Sequence, residues 1–265
     1  NTRYNGAQVL NGSFSGKSLQ VGTESGESIS FSIANIESSK LGAFVEGGTA
    51  KTAVAGNTPP ANGTSGDNLT IAGKKSREID VEANDTAQAV AKKINAVAGG
   101  TQVTAEARTF AHLYTSAAAP EGDQINRRIS FSDSAGNATA TAAFTLTSND
   151  VSDAVQKINA ISTTTGVQAS ATSDNKVLLT KQNGDDIRIT NTSASSGDAA
   201  IKIITVGIDG VAEAGDVRAL AAAGSANDAV TVKGNIRLTS DYDFTVTDHS
   251  TPNFFTAGAK AATLL

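Results

Sequence analysis

The sequence predicts an α+β fold that is richer in strand than in helix, with small antiparallel sheets and packed helices in tandem sub-domains. Three observations predict it. Short apolar runs alternate with polar residues along much of the chain. Two segments, 87–97 and 151–161, place apolar residues at helical spacing. Hydrophobic residues make up 39% of the 265, but aromatics are only 5% and Trp and Met are absent, which favours several thin sub-domains over one thick core.

Charge and composition exclude several classes of function. A net charge of −5 provides no basic field for nucleic acid. The sequence has no run of about 18 apolar residues and no signal peptide, so we expect neither a membrane span nor Sec targeting. Cys is absent, which excludes disulfides and a thiolate nucleophile. Because the chain begins at Asn1 rather than Met, we interpret it as a fragment.

The first 33 residues predict turns followed by a hairpin. Asn5-Gly6 and Asn11-Gly12 suit tight turns, and two alternating strands flank the turn around Gly26. The order Asn-Thr-x-Tyr-Asn-Gly, Val-Leu-x-Gly-Ser-Phe, Leu-Gln-Val-Gly and Gly-Glu-x-Ile resembles the bacterial flagellin family, in which this segment follows the first stem helix. The resemblance implies an extracellular location in the flagellar filament. It also implies other flagellin subunits and the flagellar export and capping proteins as partners.

After a loop-like stretch to residue 67, the sequence predicts a compact unit of strands and one helix. Leu69 with Ile71 and Ile79 with Val81 form two strand patterns around the turn 73–76. We expect Asp85 to cap a helix with an apolar face of Ala87, Val90, Ile94 and Val97, and Gly99-Gly100 to end it before a strand from Val103. The stretch 110–119 fits a strand, a loop or a short helix.

The same unit occurs again from a strand at 144–146, with Asn149 or Asp150 as the cap and Gly166 as the stop before a strand at 167–171. The helices align at a spacing of 64 residues, whereas aligning Val81 with Leu146 needs 65. Both copies resemble the flagellin hook IN motif through Ile94-Asn95 and Ile158-Asn159. The second copy continues with strands at 177–179 and 187–189 around an acidic turn at 183–186, where the first copy departs from the pattern.

The remaining chain predicts strands at 201–208, 230–238 and 244–247 and a weak helix at 216–223. In a flagellin, 257–265 is where the chain returns to the stem helices, so the fold class includes a stub of the helical stem. The predicted domains are a stem-proximal region (1–42 with 256–265), a first hook IN-like outer module (43–123), a second one (124–193) and a β-rich remainder of the outer region (194–255).

Few residues are candidates for chemistry. His112 and His249 have no partner at a fixed spacing, and no nucleophile motif follows a strand. The turn 183–186 and the carboxylates of Asp241, Asp243 and Asp248 lack the EF-hand pattern. We therefore expect no catalytic residue, no metal, no cofactor and no enzymatic activity.

Two functional hypotheses remain. The first is a structural subunit of the flagellar filament, represented by its outer domains without the terminal polymerisation helices and therefore monomeric. The alternative is a cell-surface binding protein or adhesin that recognises an acidic polysaccharide, although three Tyr and no Trp offer few stacking surfaces. Its predicted site is a basic patch formed by Lys74, Lys75, Arg77, Lys92, Lys93, Arg127 and Arg128.

Overall fold

A computed structural model describes residues 3–4, 7–8, 17–21, 28–31, 43–48, 53–115, 126–193, 201–249, 254–255 and 258–264. The chain divides into two compact units, 1–43 with 264–265 and 44–263. None of the helices in these ranges has the length and apolar character needed to cross a membrane.

The first unit contains two small antiparallel pairs. The strands β1 (Arg3–Tyr4) and β2 (Ala7–Gln8) pair, as do β3 (Lys17–Gln20) and β4 (Ser28–Phe31). Leu19 lies opposite Ile29, which confirms the predicted hairpin. The predicted turns at Gly6, at Asn11-Gly12 and around Gly26 lie outside the described residues.

The second unit is strand-rich. Its helices are α1 (Ala87–Ala96), α2 (Ala98–Thr101), α3 (Ser152–Asn159) and α4 (Ser162–Thr165). Its strands are β5 (Phe44–Gly47), β6 (Ala53–Gly56), β7 (Asp67–Ala72), β8 (Ser76–Val81), β9 (Thr104–Tyr114), β10 (Ile129–Ser132), β11 (Ala138–Ala140), β12 (Gln168–Ala171), β13 (Val177–Lys181), β14 (Ile187–Asn191), β15 (Ile201–Val206), β16 (Ala212–Leu220), β17 (Ala229–Val232), β18 (Asn235–Ser240), β19 (Thr245–Asp248) and β20 (Gly258–Ala261), followed by β21 (Thr263–Leu264).

Three antiparallel sheets organise this unit. One has the order β11-β10-β14-β17-β6, and another has the order β20-β19-β7-β8. The largest contains the run β12-β13-β9-β18-β5, with β15 also paired to β9 and β16 paired to β15. The long strand β9 is shared, because its first half pairs with β18 and its second half pairs with β13 and β15.

Two hydrophobic cores lie beside these sheets, and each contains one of the predicted helices. Ile94 of α1 is fully buried in a core with Leu69, Ile71 and Val246. Ile158 of α3 is fully buried in a second core. Burial of one such side chain contributes about 1.5–3 kcal/mol, so each helix is held by its apolar face rather than by its short length.

The two helices and most strands confirm the sequence predictions, and the differences have local causes. Residues 216–223 are not helical, because β16 covers 212–220 and pairs with β15. Residues 144–146 do not form a strand; Phe144 makes an isolated bridge with Arg127. The stretch 110–114 continues β9. The described residues of 257–265 form β20 and β21 rather than a stub of a stem helix.

The ends of the first helix also differ from the prediction. The side chain of Thr86, not Asp85, caps α1 by accepting a hydrogen bond from the Ala89 amide at 3.2 Å. Gly99 and Gly100 do not end the helical region, because both lie within α2. The chain leaves the helical region at Gln102, which adopts the left-handed conformation at φ 59°.

The predicted limits of the outer modules, 43–123, 124–193 and 194–255, stay predictions. Strands from all three segments nevertheless hydrogen-bond within the same sheets, since β9 pairs with both β13 and β18.

Candidate functional site

The most specific feature of the chain is the Ile-Asn pair at the end of each main helix. Ile94 and Ile158 are both fully buried, one in each core. The next residues, Asn95 and Asn159, lie at the helix surface, where their side chains reach the strand that follows. The pair therefore combines an apolar anchor with a polar contact.

Each asparagine makes two hydrogen bonds to one residue of that strand. The Asn95 amide donates to the Ala105 carbonyl at 2.8 Å, and its Oδ1 accepts from the Ala105 N–H at 2.8 Å. Asn159 makes the same two bonds to Ala169, both at 2.8 Å. The side chain thus imitates a neighbouring strand residue. We call this contact the asparagine clip.

The turn between helix and strand is also repeated. A one-turn helix, α2 or α4, precedes a residue in the left-handed conformation, which is Gln102 in the first copy and Gly166 in the second. The hydroxyls of Thr101 and Thr165 each accept a hydrogen bond at 3.2 Å from the backbone N–H two residues later. These equivalences all hold at the spacing of 64 residues.

The second copy contains all of its strands in one continuous segment. β10 pairs with β11 and with β14, while β12 pairs with β13. In this copy Ala169 of β12 lies opposite Leu179 of β13.

The first copy has the same pairings, but two of its strands come from much later in the chain. β7 pairs with β8 and with β19, while β9 pairs with β18, where Ala105 lies opposite Leu238. This explains why the expected strand and acidic turn do not follow the first helix. The second copy is inserted between the two parts of the first. We call these the first module (67–108 with 235–248) and the second module (127–191).

The strand pairings before the helices suggest a further correspondence between the two modules. Val81 pairs with Asp67 at the start of β7, and Phe144 forms an isolated bridge with Arg127 just before β10. These pairings favour Phe144, at a spacing of 63, as the counterpart of Val81, whereas the sequence pattern aligns Val81 with Leu146, which is also buried.

The acidic turn of the second module contacts the start of α1. The Gly184 carbonyl accepts a hydrogen bond from the Gln88 N–H at 3.0 Å, and the Asp185 carbonyl accepts one from the Thr109 hydroxyl at 2.7 Å. Gly234 is required here, because a Cβ at that position would lie 2.6 Å from both the Gly184 carbonyl and the Thr109 hydroxyl. The turn therefore contacts the first module through the Gly184 and Asp185 carbonyls.

Burial changes the ionisation of two groups near this junction. The Asp186 side chain accepts a hydrogen bond from Asn62 Nδ2 at 3.0 Å, yet burial raises its pKa to about 6. Burial lowers the pKa of Lys233 to about 8, against the attraction of Asp186 and Asp248. Sequence reasoning missed Asn62 and Lys233, since neither belongs to a motif or an amphipathic pattern.

The basic residues of the predicted patch lie on separate elements. Lys74, Lys75 and Arg77 are exposed at the β7–β8 turn, where the Lys74 ammonium is 6.0 Å from the Tyr242 ring centroid. Lys92 is exposed on α1. Lys93 is engaged within its own module, since it contacts Asp85 at 2.8 Å and Glu82 at 3.8 Å. The hydrogen bond to Asp85 raises the pKa of Lys93.

The predicted outward position of Arg127 is wrong. Arg127 is only 2% exposed, and its backbone exchanges two hydrogen bonds of 2.9 Å with Phe144. Arg128 is exposed beside it, because successive side chains of an extended chain point to opposite faces. Only one arginine of this pair can contact an external ligand.

His249 and the acidic turn at 183–186 have local partners. His112 lies half-buried on β9, where burial lowers its pKa, and His249 Nε2 lies 2.7 Å from the Thr70 hydroxyl on β7. Asp185 accepts from Lys181 at 2.9 Å. Within the described ranges, no group of three or more His, Cys, Asp or Glu side chains could hold a metal ion.

Residues 68–115 match the family described as the flagellin hook IN motif. The match covers β7, β8, α1 and β9, which form the continuous part of the first module. It confirms the resemblance drawn from Ile94-Asn95. The coarse class that the match indicates is a component of the bacterial flagellum.

Two solved structures of flagellar cap proteins are similar at low levels. The D1-D2-D3 domains of FliD from Escherichia coli are 12% identical, with 81% of this chain and 60% of that chain covered and a TM-score of 0.25. FliD from Helicobacter pylori is 10% identical, with 83% of each chain covered and a TM-score of 0.21. This chain spans three fifths of the Escherichia coli protein. No curated protein matches it.

Proposed function

We propose that the chain is the outer region of a flagellin or flagellin homologue, a structural subunit of the bacterial flagellar filament. The observation that carries this proposal is the hook IN motif at 68–115, whose asparagine clip recurs with the same geometry in the second module. The hydrogen bonds of the motif hold a helix to a sheet, which is a structural task. We accordingly propose a non-catalytic, extracellular role on the filament.

In this role the outer modules cover the surface of the filament. The terminal polymerisation helices of the full-length protein make the contacts with other subunits. We expect the chain 1–265 itself to stay monomeric. Export and capping proteins of the flagellum are the other proposed partners, because flagellins leave the cell through the hollow growing organelle.

Immunogold electron microscopy of intact cells tests the proposal. Antibodies against residues 44–263 should label filaments along their whole length, and purified full-length protein should form ordered filaments under polymerising conditions. Label confined to the distal tip would assign the chain to the cap instead. Absence of label from flagella, with label elsewhere on the cell, would overturn a flagellar role.

The adhesin hypothesis retains only the exposed basic residues. Lys74, Lys75, Arg77, Lys92 and Arg128 can contact an acidic polysaccharide, whereas Arg127 is buried and Lys93 is paired with acidic neighbours. Titration with acidic and neutral polysaccharides at rising salt would test this second role. Charge-driven binding weakens as the screening length falls to about 8 Å at physiological ionic strength.

A further inference from the structure

A groove with a volume of about 340 Å³ lies on the largest sheet, over the second half of β9. Successive side chains of a strand point to opposite faces of its sheet. Ala111 and Leu113 of β9 accordingly belong to the core of the second module, whereas Phe110 and His112 line the groove. The β12–β13 turn and the β15–β16 turn supply further walls. The groove is therefore a feature of the sheet face that the core leaves uncovered.

The walls of the groove are mostly apolar. Leu178 of β13 lies directly opposite His112, and Val206 of β15 lies directly opposite Phe110. Residues directly opposite each other on paired strands share a face of the sheet, so all four side chains belong to one surface. Ile208 adds another apolar wall from the β15–β16 turn. A ligand for this groove needs an apolar body.

The volume sets the size of that body. Pockets for small ligands generally measure about 300–1,000 Å³. An apolar cavity of about 150 Å³ holds one benzene ring. At about 340 Å³, the groove has room for two fused rings.

The charged groups beside the groove are engaged with each other. Asp174, which lines the groove, lies with Oδ2 2.8 Å from the Lys176 ammonium, and its Oδ1 accepts from the Thr172 hydroxyl at 2.6 Å. Hydrogen bonds from Lys176 and Thr172 lower the pKa of Asp174 to about 2, so the pair is ionised at neutral pH. An anionic ligand would be repelled by Asp174, and a cationic ligand by Lys176. A neutral ligand avoids both costs.

His112 supplies a hydrogen-bonding group among the apolar walls. Burial lowers its pKa and the nearby Lys176 ammonium lowers it further, so the imidazole is neutral at pH 7. Its Nδ1 is buried without a hydrogen-bond partner among the described residues, which leaves Nε2 for contact with a ligand. A hydroxyl can donate to Nε2 or accept from it, and therefore suits either tautomer. We propose that the groove binds a neutral aromatic ligand of two fused rings, whose hydroxyl forms a hydrogen bond with the His112 imidazole.

Titration of the isotope-labelled chain with 2-naphthol, followed by NMR, tests this site. We expect saturable shifts of the amides of 110–112, 172–178 and 206–210, with a dissociation constant of about 1 mM. Naphthalene has no hydroxyl and should bind about fivefold more weakly, because one neutral hydrogen bond is lost. The anion 2-naphthoate should also bind more weakly than 2-naphthol, because its carboxylate meets Asp174.

Three variants separate the groove from a general effect. Leu178→Trp should fill the groove and abolish binding, whereas Gln168→Trp, at an exposed position of the neighbouring strand β12 that does not line the groove, should leave binding unchanged. His112→Phe keeps an aromatic ring but loses the hydrogen bond. It should reduce the affinity for 2-naphthol to that for naphthalene, which tests the site even if Leu178→Trp does not fold.

Several results would overturn the proposal. One is a wild-type chain whose groove amides show no saturable shift with 2-naphthol, and another is binding that survives Leu178→Trp. A preference for 2-naphthol over naphthalene that persists in His112→Phe, or tighter binding of 2-naphthoate than of 2-naphthol, would contradict the assigned chemistry. Shifts of the same amides when the protein concentration alone is raised would show that a second copy of the chain fills the groove instead.

Discussion

Replacement of Asn159 by alanine tests the role assigned to the asparagine clip. The change removes both 2.8 Å hydrogen bonds to Ala169 and leaves the side-chain face of α3 otherwise unchanged. A typical intramolecular hydrogen bond contributes about 1 kcal/mol net, and a buried group left without a partner costs about 1–3 kcal/mol. Ala169 is only 8% exposed, so water restores its backbone contacts incompletely. We expect Asn159→Ala to lower the free energy of unfolding by about 2–3 kcal/mol.

The equivalent change in the first module should cost less. The bonds of Asn95 to Ala105 lie at the exposed surface, where water can replace the lost partner, so Asn95→Ala should cost about 1 kcal/mol. Gln156→Ala is the matched control, because Gln156 is exposed on the same helix as Asn159. It should change the free energy of unfolding by less than about 0.5 kcal/mol.

Urea unfolding of the wild type and the three variants measures these differences, with an unchanged slope showing that the folded and unfolded states are comparable. Hydrogen exchange gives a local readout, since the Ala169 amide should lose protection in Asn159→Ala and keep it in Gln156→Ala. Equal midpoints for Asn159→Ala and Gln156→Ala, or an Ala169 amide that stays protected, would refute the clip as a stabilising contact.

Four further predictions follow from burial and charge. Arg127→Ala should destabilise the chain by more than about 2 kcal/mol in urea unfolding while Arg128→Ala changes it by less than about 0.5 kcal/mol; similar costs would contradict their opposite burial. Because the folded-state pKa of Asp186 is raised to about 6, stability should fall as pH rises from about 4 through 6. Asp186→Asn should remove a penalty of about 3 kcal/mol at pH 7 and flatten this pH profile, and a parallel profile for both proteins would exclude Asp186 as the cause. Ile158→Asp should unfold the second module, seen as loss of dispersed amide resonances from α3 and β12, whereas native spectra would show the core to be tolerant. Sedimentation of the chain 1–265 at rising concentration should show a monomer throughout, and filaments from this chain alone would contradict that expectation.

The sequence alone predicted those features of the fold that depend on a local pattern of residues. Helical spacing identified the buried Ile94 and Ile158, and the repeat of Lys-Ile-Asn identified the second motif. The contact of Asn159 with Ala169 could not be predicted, because it depends on the one-turn helix that reverses the chain between them. A surface asparagine and a paired one look the same in a sequence.

Long-range pairing explains the main errors. The segment 216–223 contains good helix formers, but β16 is stabilised by its pairing with β15, where Val217 lies opposite Ile204. Tertiary contacts of this kind override weak local preference. The pairing of β9 with β18 could not be predicted from local sequence either, because neither strand has a pattern that specifies which strand it pairs with. The predicted exposure of Arg127 was wrong because Arg127 and Arg128, although adjacent in sequence, are buried and exposed respectively.

The interrupted first module imposes an order on folding. As the chain is synthesised from its N-terminus, α1 emerges more than a hundred residues before β18 and β19, which complete its sheets. During that interval Ile94 and Leu69 lack six of the sixteen buried residues of their core, those at 236–255. The second module has all of its own strands once residue 191 is free. It can therefore pair its own strands before the first module receives β18 and β19.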